Sequence, residues 1–155
     1  MISQFETACK VLKDLHAEIL ALLEAVGSEG MNWTSEINDV NSMYAIANHT
    51  ILSQYWWIQE NLNREKIERN RPAEFTARAD NVNNLRNLYK EIETLTRSVL
   101  ENVPQQETQA LREVKQRQVT VEWIVLHVIE HTALHLGHMQ LMKQIWENEL
   151  RGTNA

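Results

Sequence analysis

Glycine occurs four times and proline twice in the 155 residues, and both prolines, Pro72 and Pro104, lie between stretches of helical periodicity. So sparse a supply of turn residues points to an all-α chain. The single cysteine, Cys9, excludes an internal disulfide. No apolar run approaches the length of a membrane span, and the first residues, MISQFETACK, lack the charged-then-apolar layout of a secretion signal. Positive charge is nowhere concentrated and the net charge is −6, which disfavours nucleic acid and anionic membranes as partners. Internal repeats and low-complexity stretches are missing too. A reducing cytoplasm is the location expected from these absences. The length is that of one domain, residues 1–155, with a real core.

What is present is amphipathic periodicity. The first helix is expected from Ser3 to Val26, closed by Gly27: Phe5, Leu12, Ile19 and Val26 recur every seven residues, with Ala8, Leu15 and Leu22 between them. Cys9 at its edge reads as a small buried hydrophobe and His16 as a structural or exposed residue. After a polar connection capped by Asp39 or Asn41, a second helix runs from Ser42 to Asn61 with the inner stripe Ile46, His49, Ser53 and Trp56. The charged segment Arg64–Ala79 is long enough for a lid or crossover. Asp80 caps a third helix, Asn81–Asn102, with a core face of Val82, Leu85, Leu88, Ile92, Leu95 and Val99, ended by Pro104. Gln105–Val119 is a polar connection with room for a helical turn. Thr120 caps the last helix, with Glu122 at its positive dipole end, and Arg151 and Gly152 close it. Four such segments predict a four-helix bundle with a long connection between helices 2 and 3.

Histidine is concentrated in the last helix: His127, His131, His135 and His138 span roughly 80° of its circumference at about 100° per residue. Ile124, Val128, Met142 and Ile145 set a seam of three- and four-residue steps, and the same count lands on His131, His135 and His138. The stripe is therefore expected to be buried. Unpaired buried polar groups cost about 1–3 kcal/mol each, and helical carbonyls are already engaged. A metal ion satisfies several imidazoles at once. His131 and His135, one turn apart, can converge on one ion, and a third ligand must come from elsewhere. His49 is the one histidine outside the last helix at a core position, flanked by the small Ala45 and Ser53, and is the expected third ligand. Three imidazoles suit zinc, nickel, copper and iron alike.

Other metal motifs are lacking. His127-Val128-Ile129-Glu130-His131 matches the H-x-x-E-H pattern of inverted zinc proteases, but the match is short and such enzymes need a further acidic ligand. Thr132 stands where an H-E-x-x-H zincin needs glutamate. No glutamate has a histidine three residues later, which removes a ferritin-like di-iron site.

A mid-helix histidine in the second helix together with His131-x-x-x-His135-x-Gly137-His138 in the fourth resembles the DinB superfamily over essentially the whole chain. The resemblance implies a four-helix bundle in which His49, His131 and His135 hold a divalent metal, zinc or nickel foremost, with iron also compatible. It implies a second-sphere place for His127. Leu136-Gly137-His138 is similar to the form found in the thiol-transferase branch, which implies transfer of a low-molecular-weight thiol to an electrophile, a detoxification chemistry. His138 is then the candidate acid or base beside the metal. Tyr44, Trp56, Trp57, Trp123 and Met139 are expected to roof the pocket, and a homodimer is the assembly the resemblance implies. A metal-dependent hydrolase, or a non-enzymatic metal-stapled bundle serving as a binding or regulatory module, are the alternatives.

Overall fold

Heptad spacing of Phe5, Leu12, Ile19 and Val26 does produce one long first helix, α1, Ser3–Asn32, whose four spacing residues are all buried. The computed structural model describes residues 1–35 and 40–153, with side chains as far as residue 150. Gly27 breaks α1 as expected, its φ of 65° being open to glycine at no steric cost. The chain then resumes a helical turn instead of leaving. Gly30 in that turn packs so closely on Trp146 that an added Cβ would lie 2.9 Å from the indole ring.

The second helix, α2, covers Met43–Tyr55 and continues as a π-helical stretch, Trp56–Leu62. Its cap is Ser42, whose Oγ accepts from the Ala45 N–H at 3.2 Å. Asn41 is therefore not the cap, and Asp39 lies outside the described residues. The connection that follows is not plain surface loop. Asn70 caps a single turn, α3, Arg71–Glu74, with Pro72 in its opening positions, and Glu74 is buried.

Helix α4 spans Asn83–Glu101, entered from Val82 without a side-chain cap, so Asp80 does not fill that role. Leu85, Tyr89, Ile92, Thr96 and Val99 form its buried face. The segment expected to be polar connection holds a 3₁₀ turn, Gln105–Glu107, and a hairpin absent from the sequence reading: β1, Leu111–Val114, antiparallel to β2, Arg117–Thr120. Thr120 does cap the last helix, its Oγ1 accepting from the Trp123 N–H at 3.0 Å. That helix, α5, extends through Arg151 and Gly152 to Thr153. No helix among the described residues is long and apolar enough to cross a membrane.

Helices α1, α2, α4 and α5 pack as a four-helix bundle around two apolar clusters. One joins Ile19, Leu23, Met43, Ile51, Leu85 and Met139. The other joins Phe5, Leu12, Ile58, Leu100, Ile124 and Val128, and extends to Val114 and Val119 of the hairpin. Between them lies a hydrogen-bonded polar belt. Buried His16 places Nδ1 2.7 Å from Glu93 Oε1 and Nε2 3.0 Å from Gln54 Oε1, and Gln54 Nε2 donates to Thr96 Oγ1 at 2.9 Å. His16 is thus structural.

Candidate metal centre

The face of α5 that bears the histidines is not the fully buried one. Val121, Ile124, Val125, Val128, Thr132, Leu136, Met139 and Met142 occupy the core, and Ile145, expected in the seam, is 39% exposed. The imidazoles lie one step around the helix, where the wall of the bundle meets solvent. His127, His131 and His135 are half-buried there and His138 is exposed. The expectation of a buried stripe is corrected accordingly: a 3.6-residue period leaves a four-residue histidine repeat drifting off the core seam.

Across from this wall, α2 presents His49, 4% exposed. Its ring centroid is 5.3 Å from those of both His131 and His135, which are 4.4 Å from each other. One ring nitrogen from each of the three can be chosen so that all lie within 4.8 Å of one another. His131 Nε2 and His135 Nε2 face each other at 3.2 Å. Two nitrogens in that arrangement can share one proton at most, whereas a cation accepts both lone pairs. The other nitrogen of His135, Nδ1, is buried and has no hydrogen-bond partner among the described residues. Three convergent imidazoles are a donor set that fits a divalent ion, which no side chain among the described residues replaces.

Electrostatics keep the lone pairs free. Burial, reinforced by the neighbouring charges of His135, His49, His127 and Arg69, pushes His131 down to about 3. Burial, then His49 and His138, pushes His135 down to about 4. Burial also lowers His49, outweighing the pull of Glu74 in the other direction. Protons thus compete poorly at all three rings near neutrality.

Glu74 is the site residue missing from the sequence reading. It is 2% exposed and accepts the His49 Nδ1–H at 2.7 Å, which leaves the lone pair on His49 Nε2. Arg69 anchors the same carboxylate through Nε at 2.6 Å and Nη2 at 2.9 Å. Burial alone would raise the Glu74 carboxyl, but hydrogen bonds from Arg69 and His49 hold it below the ordinary range. Phe75 stacks on His49 with ring centroids 4.4 Å apart. The connection between α2 and α4 is therefore the backing of His49. Its sequence signal was available: Asn70-Arg71-Pro72 is a cap followed by a proline near the first helical position, which marks a helical turn.

The expected roof residues divide. Tyr44 and Met139 are core, 7% and 0% exposed. Trp57 and Trp123 instead pack around His127, each with its centroid 4.7 Å from the imidazole, and Trp56 adjoins Trp57 at 4.9 Å. His127 reaches Glu130 Oε2 at 3.2 Å and lies 5.9 Å, centroid to centroid, from His131. The His138 ring is 5.6 Å from that of His135. Cys9 is half-buried and burial raises its thiol; it borders a separate cleft with Gln54, Thr96 and Arg97, so it takes no part here.

Three imidazoles from the second and last helices of such a bundle define a DinB-like protein. Solved structures that share the fold include two bacterial proteins. A conserved protein from Enterococcus faecalis superposes with a TM-score of 0.75 at 14% identity, over 93% of this chain and 97% of that one. A DinB-like protein from Bacillus cereus gives a TM-score of 0.74 at 12% identity, over 94% of this chain and 93% of that one. Within that class, the chain belongs to the mycothiol-S-transferase family, whose sequence profile matches residues 9–147. No curated protein matches it.

Proposed function

We propose that the protein is a metal-dependent S-transferase in which His49, His131 and His135 hold a divalent ion, zinc or nickel foremost, and a low-molecular-weight thiol attacks an electrophile. The carrying observation is the meeting of three ring nitrogens from α2 and α5 within 4.8 Å. Held by these three imidazoles, a divalent ion would supply Lewis acidity that lowers the pKa of a bound thiol. The chain's own residues do the rest. Glu74 fixes the His49 ring, Phe75 covers its face, and His138, exposed and with its ring 5.6 Å from that of His135, takes the proton the thiol gives up. The sulfur electron pair then forms the carbon–sulfur bond. The electrophile releases its leaving group with the displaced pair, or, in an addition, the pair moves to a neighbouring atom that takes up a proton.

Family membership supports the transferase over the hydrolase, which would use the same ion on water. The half-exposed His131 and His135 support an open site over a closed metal staple. Leu126, Leu134 and Leu141, large apolar side chains exposed along α5, support a homodimer, which sedimentation tests.

Elemental analysis of the purified chain and of His49→Ala and His131→Ala tests the centre: one ion per chain is expected, lost in both variants. Transfer assays with mycothiol, bacillithiol and glutathione test the chemistry. Metal bound with every thiol inert would refute the transferase and leave the hydrolase or the stapled module.

A further inference from the structure

The β1–β2 hairpin turns through Lys115 and Gln116, whose φ values of 50° and 66° are both left-handed. Two-residue turns of this hand ordinarily take Asn-Gly, so a lysine is held here against local preference. Buried Val114 and Val119 anchor the hairpin to the apolar core, which fixes where its charges sit. Lys115 Nζ lies 4.9 Å from the Trp56 ring centroid, and the Arg117 guanidinium lies 4.6 Å from that of Trp123. With Trp57 and His127 these two cations line a cleft of about 210 Å³.

Neither cation has an ion-pair partner among the described residues, where arginine pairs engage Arg69, Arg86, Arg97 and Arg112. Glu130 is hydrogen-bonded to His127 at 3.2 Å, and Glu74 is paired with Arg69. In a chain of net charge −6, two cations without ion-pair partners, each beside an indole ring, concentrate positive charge at this rim. Such a rim suits an organic carboxylate. The cleft also lies at a useful distance from the metal centre. Trp123 and His127 precede His131 by two turns and one on α5, about 12 and 6 Å of rise. An extended chain covers about 3.3–3.6 Å per residue, so a carboxylate two or three units from a sulfur spans the gap.

We propose that the Lys115–Arg117 cleft binds the carboxylate of the thiol co-substrate, so that this chain takes a carboxylate-bearing thiol of the glutathione or bacillithiol kind in preference to mycothiol, whose sugar and cyclitol body carries none. The assignment rests on the S-transferase reading for its sulfur but not for its anion. S-methylglutathione, which keeps both carboxylates and has no thiol, separates the two. Titrated into the chelator-treated full chain, it is expected to move the Trp57 and Trp123 indole N–H resonances. The double variant Lys115→Gly/Arg117→Gln should weaken that binding about tenfold, the loss of a charge-assisted contact. Glycine suits the left-handed turn, and unchanged circular dichroism verifies the variant's fold.

In the metal-loaded protein, the carboxylated thiols should show lower KM than mycothiol. The double variant should raise the KM of those thiols alone. S-methylglutathione affinity unchanged in the variant, a lower KM for mycothiol in the parent chain, or a KM effect confined to the electrophile would each overturn the proposal. Failure of every thiol to react would refute the S-transferase reading, while the titration, which needs neither metal nor turnover, still decides the cleft.

Discussion

Glu74 is the residue on which the geometry of the proposed metal centre turns. A neutral imidazole can ligate through either nitrogen, and the His49 ring is committed to Nε2 because Nδ1–H is given to a buried carboxylate. Glu74→Gln keeps an acceptor for His49 but leaves the Arg69 charge unmatched, and should lower metal affinity by about 10–100-fold in a competition titration against a chromogenic chelator. The convergence of His49, His131 and His135 was legible in the sequence from a four-residue histidine pair in the last helix and a core histidine in the second, although the pair lies beside the buried seam and not in it. Glu74 was not, because its role depends on a connection folding back over α2, and no periodicity records that return. Cys9 makes the opposite case. Burial raises its thiol, so alkylation by iodoacetamide should be slower than for free cysteine at pH 8 and should accelerate only at higher pH.

At the scale of elements, the four bundle helices were readable and the pieces between them were not. Heptads in α1 and the stripe in α4 repeat often enough to declare a buried face. The hairpin has only four residues per strand, a Lys-Gln turn where Asn-Gly would announce one, and charged residues on its outer side. The last turn of α1 was likewise hidden, since Gly27 carries a termination signal that the chain obeys and then overrides. The cause is visible in Gly30, whose missing side chain lets Trp146 of α5 close on the backbone. Gly30→Ala should therefore destabilise the fold by about 1–3 kcal/mol through overpacking, despite alanine's better helix propensity, with the midpoint of urea unfolding as the readout.

For the whole molecule, an ion bridging α2 and α5 would tie two elements distant in sequence. Free metal at about a hundredfold over Kd adds about 2.7 kcal/mol, so removing it with a chelator should lower Tm by about 5–10 °C, and His131→Ala should show no such drop. The metal-free protein should also be acid-sensitive. His131 and His135 are held at about 3 and about 4 in the fold but titrate near 6.5 when unfolded. The unfolded chain thus binds more protons over that interval. The stability their neutral forms contribute is complete above about pH 6.5 and drains away as pH falls toward 4, which thermal melts across pH 4–7.5 would show.

The belt of His16, Gln54 and Thr96 has a consequence for how the helices are aligned. Apolar faces alone tolerate sliding, since one leucine resembles another. A displacement of one turn, about 5.4 Å, would carry Gln54 away from its partners on both α1 and α4 and strand it among hydrocarbon. These contacts act as a key that fits one alignment of the bundle, and that alignment brings residue 49 level with residues 131 and 135.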